Sequence, residues 1–323
     1  MTYRVIVQDQ YDISTAVEKI NLRDSLDQIA YQATIDITVL PSMPKLSPGM
    51  AIRVSGVPYG KNTMTALLHP AVIWEVNSSN NGLKKMELTL YDRTIYLDKS
   101  TDEYLFPKGQ TASQRFKKYA SDWQIKLASI PDTKVKLGRA VYRSQSLFSM
   151  MYADLRETVK TGGELYHPRM TSAGLELFLI GSNKDVVNLE RISEVTQGRS
   201  LEGTVTKVKV LATADSDKEV PSKVLAVAEK DTEIYGTLQA IVQDDEVKSG
   251  AAAQKLAKSK LTGIQQTISV TAPDINTIRA GDAVMFGSMK LIVISVSREL
   301  GNPGSMSLEL GTYDDVKRRF YLE

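Results

Sequence analysis

Thr34-Ile35-Asp36-Ile37-Thr38-Val39, Leu46-Ser47-Pro48-Gly49-Met50-Ala51-Ile52-Arg53-Val54 and Met86-Glu87-Leu88-Thr89-Leu90-Tyr91-Asp92 form, in that order, a pattern that returns near the other end of the chain. The second copy reads Thr267-Ile268-Ser269-Val270, Ile278-Arg279-Ala280-Gly281-Asp282-Ala283-Val284-Met285-Phe286 and Met306-Ser307-Leu308-Glu309-Leu310-Gly311-Thr312-Tyr313-Asp314. In Ile35-Asp36-Ile37-Thr38-Val39 apolar residues fall at every second position, so the strand has one buried and one wet face. Each copy predicts an alternating strand, a glycine turn, a second strand, a long apolar strand, a hairpin and a closing strand. Two copies of one β-module give a subunit internal pseudo-symmetry, which suits ring building better than catalysis.

Working outward, residues 1–97 read as a first β domain. Met1–Val7 lacks the long apolar core of a signal peptide and reads as a first strand. Asn80-Asn81-Gly82 marks a hairpin between Ala71–Val76 and Lys85–Leu90. Residues 98–198 change character and read as a small α/β middle region. Thr111-Ala112-Ser113-Gln114 has the spacing of a capping box, in which hydroxyl and amide satisfy free N–H groups at a helix start. The helix it opens places Phe116, Tyr119, Ala120 and Trp123 on one face. A second helix is predicted from Ser144, burying Leu147, Met150, Met151, Leu155 and Val159 and stopping at Gly162-Gly163. Strands follow at Glu164–His167 and Leu175–Ile180. Residues 199–323 read as a second β domain with strands at Val205–Ala212, Lys223–Ala228 and Gly236–Val242 and one helix at 251–261. The first copy is the longer between its glycine and its closing Tyr-Asp, and the surplus falls in Ser55–Ala66, where a loop absorbs length at little cost. The expected class is α+β, mainly β.

Composition narrows the function classes. The 323 residues are 42% hydrophobic and 24% charged, ordinary for a globular chain. Forty basic against 38 acidic side chains, net +2, give no global field for gripping nucleic acid or an anionic membrane. No stretch has the length of a membrane helix, and no membrane insertion is expected. The absence of cysteine removes disulfides, thiol nucleophiles and sulfur-ligated zinc.

Candidate catalytic residues are few. His69 and His167 each precede a proline at or beside a strand, with no converging partner in the sequence, so a structural role is expected for both. Paired carboxylates would suit glycoside cleavage; Asp244-Asp245-Glu246 and Asp215, Asp217 and Glu219 are the available clusters, and both read as solvated turns. Lys317-Arg318-Arg319, before Phe320-Tyr321, reads as a surface tail. Trp74 and Trp123 sit on predicted core faces, as packing residues rather than sugar platforms. The expectation is therefore no catalytic residue, no cofactor and no metal. A peptidoglycan hydrolase acting through the acidic clusters is the alternative, and a carbohydrate-binding or adhesion module the third reading.

From Ala251 onward the order is an Ala-rich helix, an alternating strand, Ile278-Arg279-Ala280-Gly281-Asp282, an apolar strand ending Val293-Ile294-Ser295-Val296, a Gly-Pro turn and a last strand. This resembles the tube domain of baseplate hub proteins of contractile phage tails, the late control protein D family. The whole chain is more specifically similar to the XkdQ/YqbQ-type hubs of PBSX-like prophages, and Gly162-Gly163-Glu164-Leu165-Tyr166 with Gly174-Leu175-Glu176-Leu177 resembles that family's middle domain. The resemblance implies two tail-tube-like barrels per subunit and a homotrimer in which six modules adapt a sixfold tail tube to a threefold spike. It also implies tube, spike, tape measure and LysM-bearing tail proteins as partners, passive passage of DNA or other cargo, and a place in the virion tail baseplate, assembled in the bacterial cytoplasm. Many such hubs are longer; with about nine residues after Tyr313-Asp314, no fused wall-degrading domain is expected.

Overall fold

A computed structural model describes residues 3–212, 221–243, 247 and 249–322. The first module supplies β1 (Tyr3–Val7), β2 (Tyr11–Asp12), β3 (Val17–Ser25), β4 (Gln32–Thr38), β5 (Ala51–Gly56), β6 (Thr65–Asn80) and β7 (Lys84–Asp92). Alternation sets the faces: Ala33, Ile35 and Ile37 of β4 are buried against Val54, Leu68, Ile73, Leu88 and Leu90, while Thr34 and Asp36 face outward. Each such aliphatic side chain contributes about 1.5–3 kcal/mol on burial.

The middle region follows as α1 (Ile95–Lys99), β8 (Thr101–Phe106), α2 (Ala112–Asp122), β9 (Ala140–Ser146), α3 (Leu147–Lys160), β10 (Tyr166–Thr171) and β11 (Gly174–Leu179). The capping box opens α2: Thr111 accepts from Gln114 N and Gln114 accepts from Thr111 N. Leu147, Met150, Met151, Leu155 and Val159 of α3 are buried as the periodicity requires. The helix starts later than Ser144 because β9 pairs with β8 as far as Ser146, which then caps α3 by accepting from Ser149 N. A buried ion pair ties the two helices. Arg115 donates to Asp154 Oδ1 at 2.6 Å, and Asp154 also accepts from the Tyr119 and Tyr142 hydroxyls at 3.2 and 2.7 Å.

Beyond it lie β12 (Val187–Asn188), β13 (Glu194–Ser200), β14 (Lys207–Leu211), β15 (Val224–Glu229), α4 (Thr232–Tyr235), β16 (Gln239–Gln243), α5 (Gly250–Ser259), β17 (Gln265–Pro273), β18 (Ala283–Phe286), β19 (Met289–Glu299), β20 (Ser305–Gly311) and α6 (Tyr313–Lys317). Contacts divide the chain into two units, residues 1–196 with 269–323, and residues 197–268. Two features underlie this division. Strands β14, β15 and β16 form their own three-stranded sheet and share a small core with α5, made of Val208, Val210, Ala228, Ala253 and Ala257. And the two repeat blocks are not separate bodies.

Thirteen strands form one sheet, ordered β13-β17-β20-β19-β3-β4-β7-β6-β5-β1-β2, with β18 against β19 and β12 against β18. Among the described residues this order runs end to end without closing a barrel. Within it the two modules repeat strand for strand: β3-β4-β7-β6-β5 corresponds to β13-β17-β20-β19-β18. The match extends to single hydrogen bonds. Gly49 N donates to Ile73 O at 2.8 Å and Ile73 N to Met50 O at 2.9 Å; Gly281 N donates to Val293 O at 2.8 Å and Val293 N to Asp282 O at 2.9 Å. Both glycines hold φ near +90°, +89° and +86°, where a side chain is strained. Each long strand carries a bulge at the next residue, Trp74 and Ile294. The repeat thus aligns Leu90 with Leu310, and the two Tyr-Asp pairs are not equivalent. Asp92 accepts from Thr94 N before α1, and its counterpart Thr312 caps α6 by accepting from Asp315 N.

The modules meet inside the chain by strand pairing. Asn21–Ser25 of β3 pair antiparallel with Ser295–Glu299 of β19, and Leu26 N continues the ladder to the bulge carbonyl of Ile294 at 2.9 Å.

Candidate functional site

The internal junction is built from charges that the strand pairing draws out of water. Arg279, in the turn before β18, donates to Asp24 of β3, whose Oδ2 also accepts Ala280 N at 3.1 Å. Its guanidinium lies 4.1 Å from the centroid of the Tyr31 ring. Asp282 accepts from Arg279 N at 2.9 Å and from Arg169 at 3.0 Å, and Arg169 donates to Glu176 at 2.5 Å. Module one, module two and the middle region are therefore joined through two arginines. Burial alone would push the Asp24 carboxyl up, but the Arg279 charge and hydrogen bond outweigh it and hold it below the usual range. Asp92 and Asp274 have no such balance, and burial raises each to about 6 despite Thr94 and Arg298. Asp24, Asp92 and His167 are all under 5% exposed, so the cluster offers a substrate no access. It fixes geometry.

The residues singled out by sequence scatter. His167 lies in β10, 1% exposed, with Nδ1 unpartnered and its ring pushed down to about 4 by burial, so it stays neutral at physiological pH. His69 is half-buried in β6, in a different cleft, and burial lowers it too. The structure brings neither together with the other. Trp74 and Trp123 are 38% and 37% exposed, not core residues: Trp74 sits on the β6 bulge, and Trp123 follows the end of α2 and donates to Asp102 at 3.1 Å. The surface tail is also corrected. Phe320 and Tyr321 are buried, Tyr321 donates to Tyr166 O at 2.6 Å, and Arg319 pairs with Glu309 at 2.6 Å. Its aromatic pair fills the core beside α3, so the basic residues serve docking. Asp215, Asp217, Glu219, Asp244, Asp245 and Glu246 lie outside the described residues. Among the described residues no group of three or more His, Asp or Glu side chains is placed to hold a metal ion, and no helix is long and apolar enough to cross a membrane.

Sequence reasoning missed Asp24, Asp92, Arg169 and Arg279 as a unit. A buried arginine looks like a solvated one until its distant partner is known, and Asp24 is remote from Arg279 in the chain.

The repeat also leaves two strand edges open. β19 uses its Ser295–Glu299 edge to receive β3, whereas the matching edge of β6, Glu75–Asn80, has no strand beside it among the described residues. Among the described residues β3 has strands on both sides, whereas its counterpart β13 pairs only with β17. Leu26 follows β3 and is 1% exposed; Leu201 follows β13 and is 46% exposed. Ile294 is 3% exposed, whereas its counterpart Trp74 is 38% exposed. Among the described residues each chain presents one open edge of each kind, with one partly exposed apolar residue at each.

This fold is shared with prophage tail proteins. The 43 kDa tail protein of prophage MuSo2 from Shewanella oneidensis superposes with a TM-score of 0.71, covering 97% of this chain and 99% of its own at 13% identity. A tail protein of Neisseria meningitidis MC58 gives 0.66, 96% of each chain and 16% identity. The Escherichia coli c3393 protein, a type VI secretion component with structural similarity to the T4 tail proteins gp27 and gp5, gives 0.55, with 92% of this chain, 74% of its own and 10% identity. No curated protein matches in sequence. The sequence matches the YQBQ-like family over residues 32–310, and the chain belongs to that family.

Proposed function

We propose that this chain is a non-enzymatic structural protein of a phage tail, the hub of its baseplate, in which three copies form a ring of six similar modules between a sixfold tail tube and a threefold spike. The observation that carries this reading is the complementarity of the two open edges. Inside the chain, the long strand of module two receives the first strand of module one. Repeating that head-to-tail contact sets β13 of one copy against Glu75–Asn80 of the next, with Leu201 taking the place of Leu26 at the Trp74 bulge. A heterologous contact of this kind closes into a ring when its rotation allows, and the contact covers edges that would otherwise invite aggregation. Family membership and likeness to prophage tail folds support the tail setting. The c3393 protein's similarity to gp27 and gp5 supports a spike beneath the ring. Tape measure, LysM-bearing and tube proteins complete the proposed partners, with the virion tail as location and passive passage of cargo as mechanism.

Mass photometry of the purified protein, alone and with its spike, tests the reading. A trimer is expected, with an interface on the order of 2,000 Å². Trp74→Glu and Leu201→Glu should each shift the population to monomers whose circular dichroism is unchanged. A wild-type monomer under all assembly conditions, or a trimer indifferent to both substitutions, contradicts it.

A further inference from the structure

A cleft of 640 Å³ opens between the first module and the middle region. Its rim carries three basic side chains, His69, Arg93 and Lys126, and its lining holds no carboxylate. Among the described residues none of the three side chains makes a hydrogen bond or ion pair. The two permanent cations are mounted on fixed backbone. Arg93 N donates to Pro70 O at 3.2 Å, and Lys126 O accepts from Leu175 N at 2.8 Å. Gly174 packs so closely on that segment that a Cβ there would stand 2.5 Å from Lys126 O. The floor is apolar, with Leu97 and Met170 buried. At the far wall Trp123 and Gln124 are shared with a neighbouring surface that bears Asp102, Glu103 and Asp122.

We propose that this cleft is a docking site for an acidic peptide segment of a partner protein, one that places a carboxylate between Arg93 and Lys126 and an adjacent aliphatic side chain on the Leu97–Met170 floor. Two fixed, unpaired donors supply charge-assisted hydrogen bonds to a carboxylate at the cost of few internal contacts. The apolar floor gives a second, size-limited contact, the usual make-up of a small pocket with a few convergent polar groups. A nucleic acid fits less well. Its backbone needs a run of cations, and the neighbouring surface beyond Trp123 bears three carboxylates that repel a continuous polyanion. The inference does not rest on the trimeric ring, because the cleft lies wholly within one copy.

The test is calorimetric titration of the full chain with a short acetylated peptide of alternating glutamate and leucine, its glutamine counterpart and an oligothymidylate of matched charge. Saturable binding of the acidic peptide is expected, weakened about fivefold by either Arg93→Gln or Lys126→Gln and further by molar salt. Little binding of the glutamine peptide is expected. Because neither side chain makes a hydrogen bond or ion pair among the described residues, both variants should melt as wild type does, which separates lost binding from lost folding. The proposal is overturned if the acidic peptide does not bind, if both variants bind it as wild type does, or if the oligothymidylate binds more tightly than the peptide.

Discussion

Gly49 and Gly281 carry the same positive φ and the same pair of hydrogen bonds, so equal costs are expected on substitution. Gly49→Ala and Gly281→Ala should each destabilise by about 1 kcal/mol, and urea midpoints should place them within a few tenths of each other. A cost confined to one site would mean that the turns differ in solution. Asp274 tests the buried charges. Its carboxyl is raised from 3.8 to about 6 in the fold by burial, against Arg298. The folded state therefore favours the protonated form, and this contribution is full below about pH 4 and lost as pH rises through about 6. The stability of wild type relative to Asp274→Asn should fall across that window by up to about 3 kcal/mol, at about 1.4 kcal/mol per unit. Parallel stability curves for the two proteins between pH 4 and 7 would refute it. At residue level the glycines were legible, because turns punctuate a sequence, but partners such as Asp24 for Arg279 are set by strand pairing across the chain.

At the scale of elements, local signals read well and long-range ones did not. The alternation of β4, the α2 capping box and the buried face of α3 are each encoded within a few residues. The start of α3 shifted because β8, from 40 residues upstream, claims residues through Ser146. The last turn docked because Phe320 and Tyr321 found a core that no local pattern announces. The extra loop of the first copy, 57–64, was expected to cost little, yet it is pinned: Asn276 accepts from Tyr59 N and donates to Val57 O, both at 2.9 Å. Asn276→Ala should cost about 1–2 kcal/mol and raise hydrogen exchange at the Tyr59 amide while leaving β4 protected. Unchanged exchange at that amide would show that the loop is held by other contacts.

For the whole molecule, the doubled module is the feature from which the proposed role follows. Its existence was readable from Gly49, Gly281 and the flanking alternation; its strand-for-strand order and the β3–β19 joint were not, since pairing partners and register are tertiary choices. That joint turns a repeat into a direction, with one edge of each kind left open. An image reconstruction of the assembled tail end by electron cryomicroscopy tests this most directly. Three copies around one axis are expected, with β13 of each alongside Glu75–Asn80 of the next and Leu201 covering Trp74. A different copy number, or an assembled particle in which those two edges stay open to solvent, would contradict it.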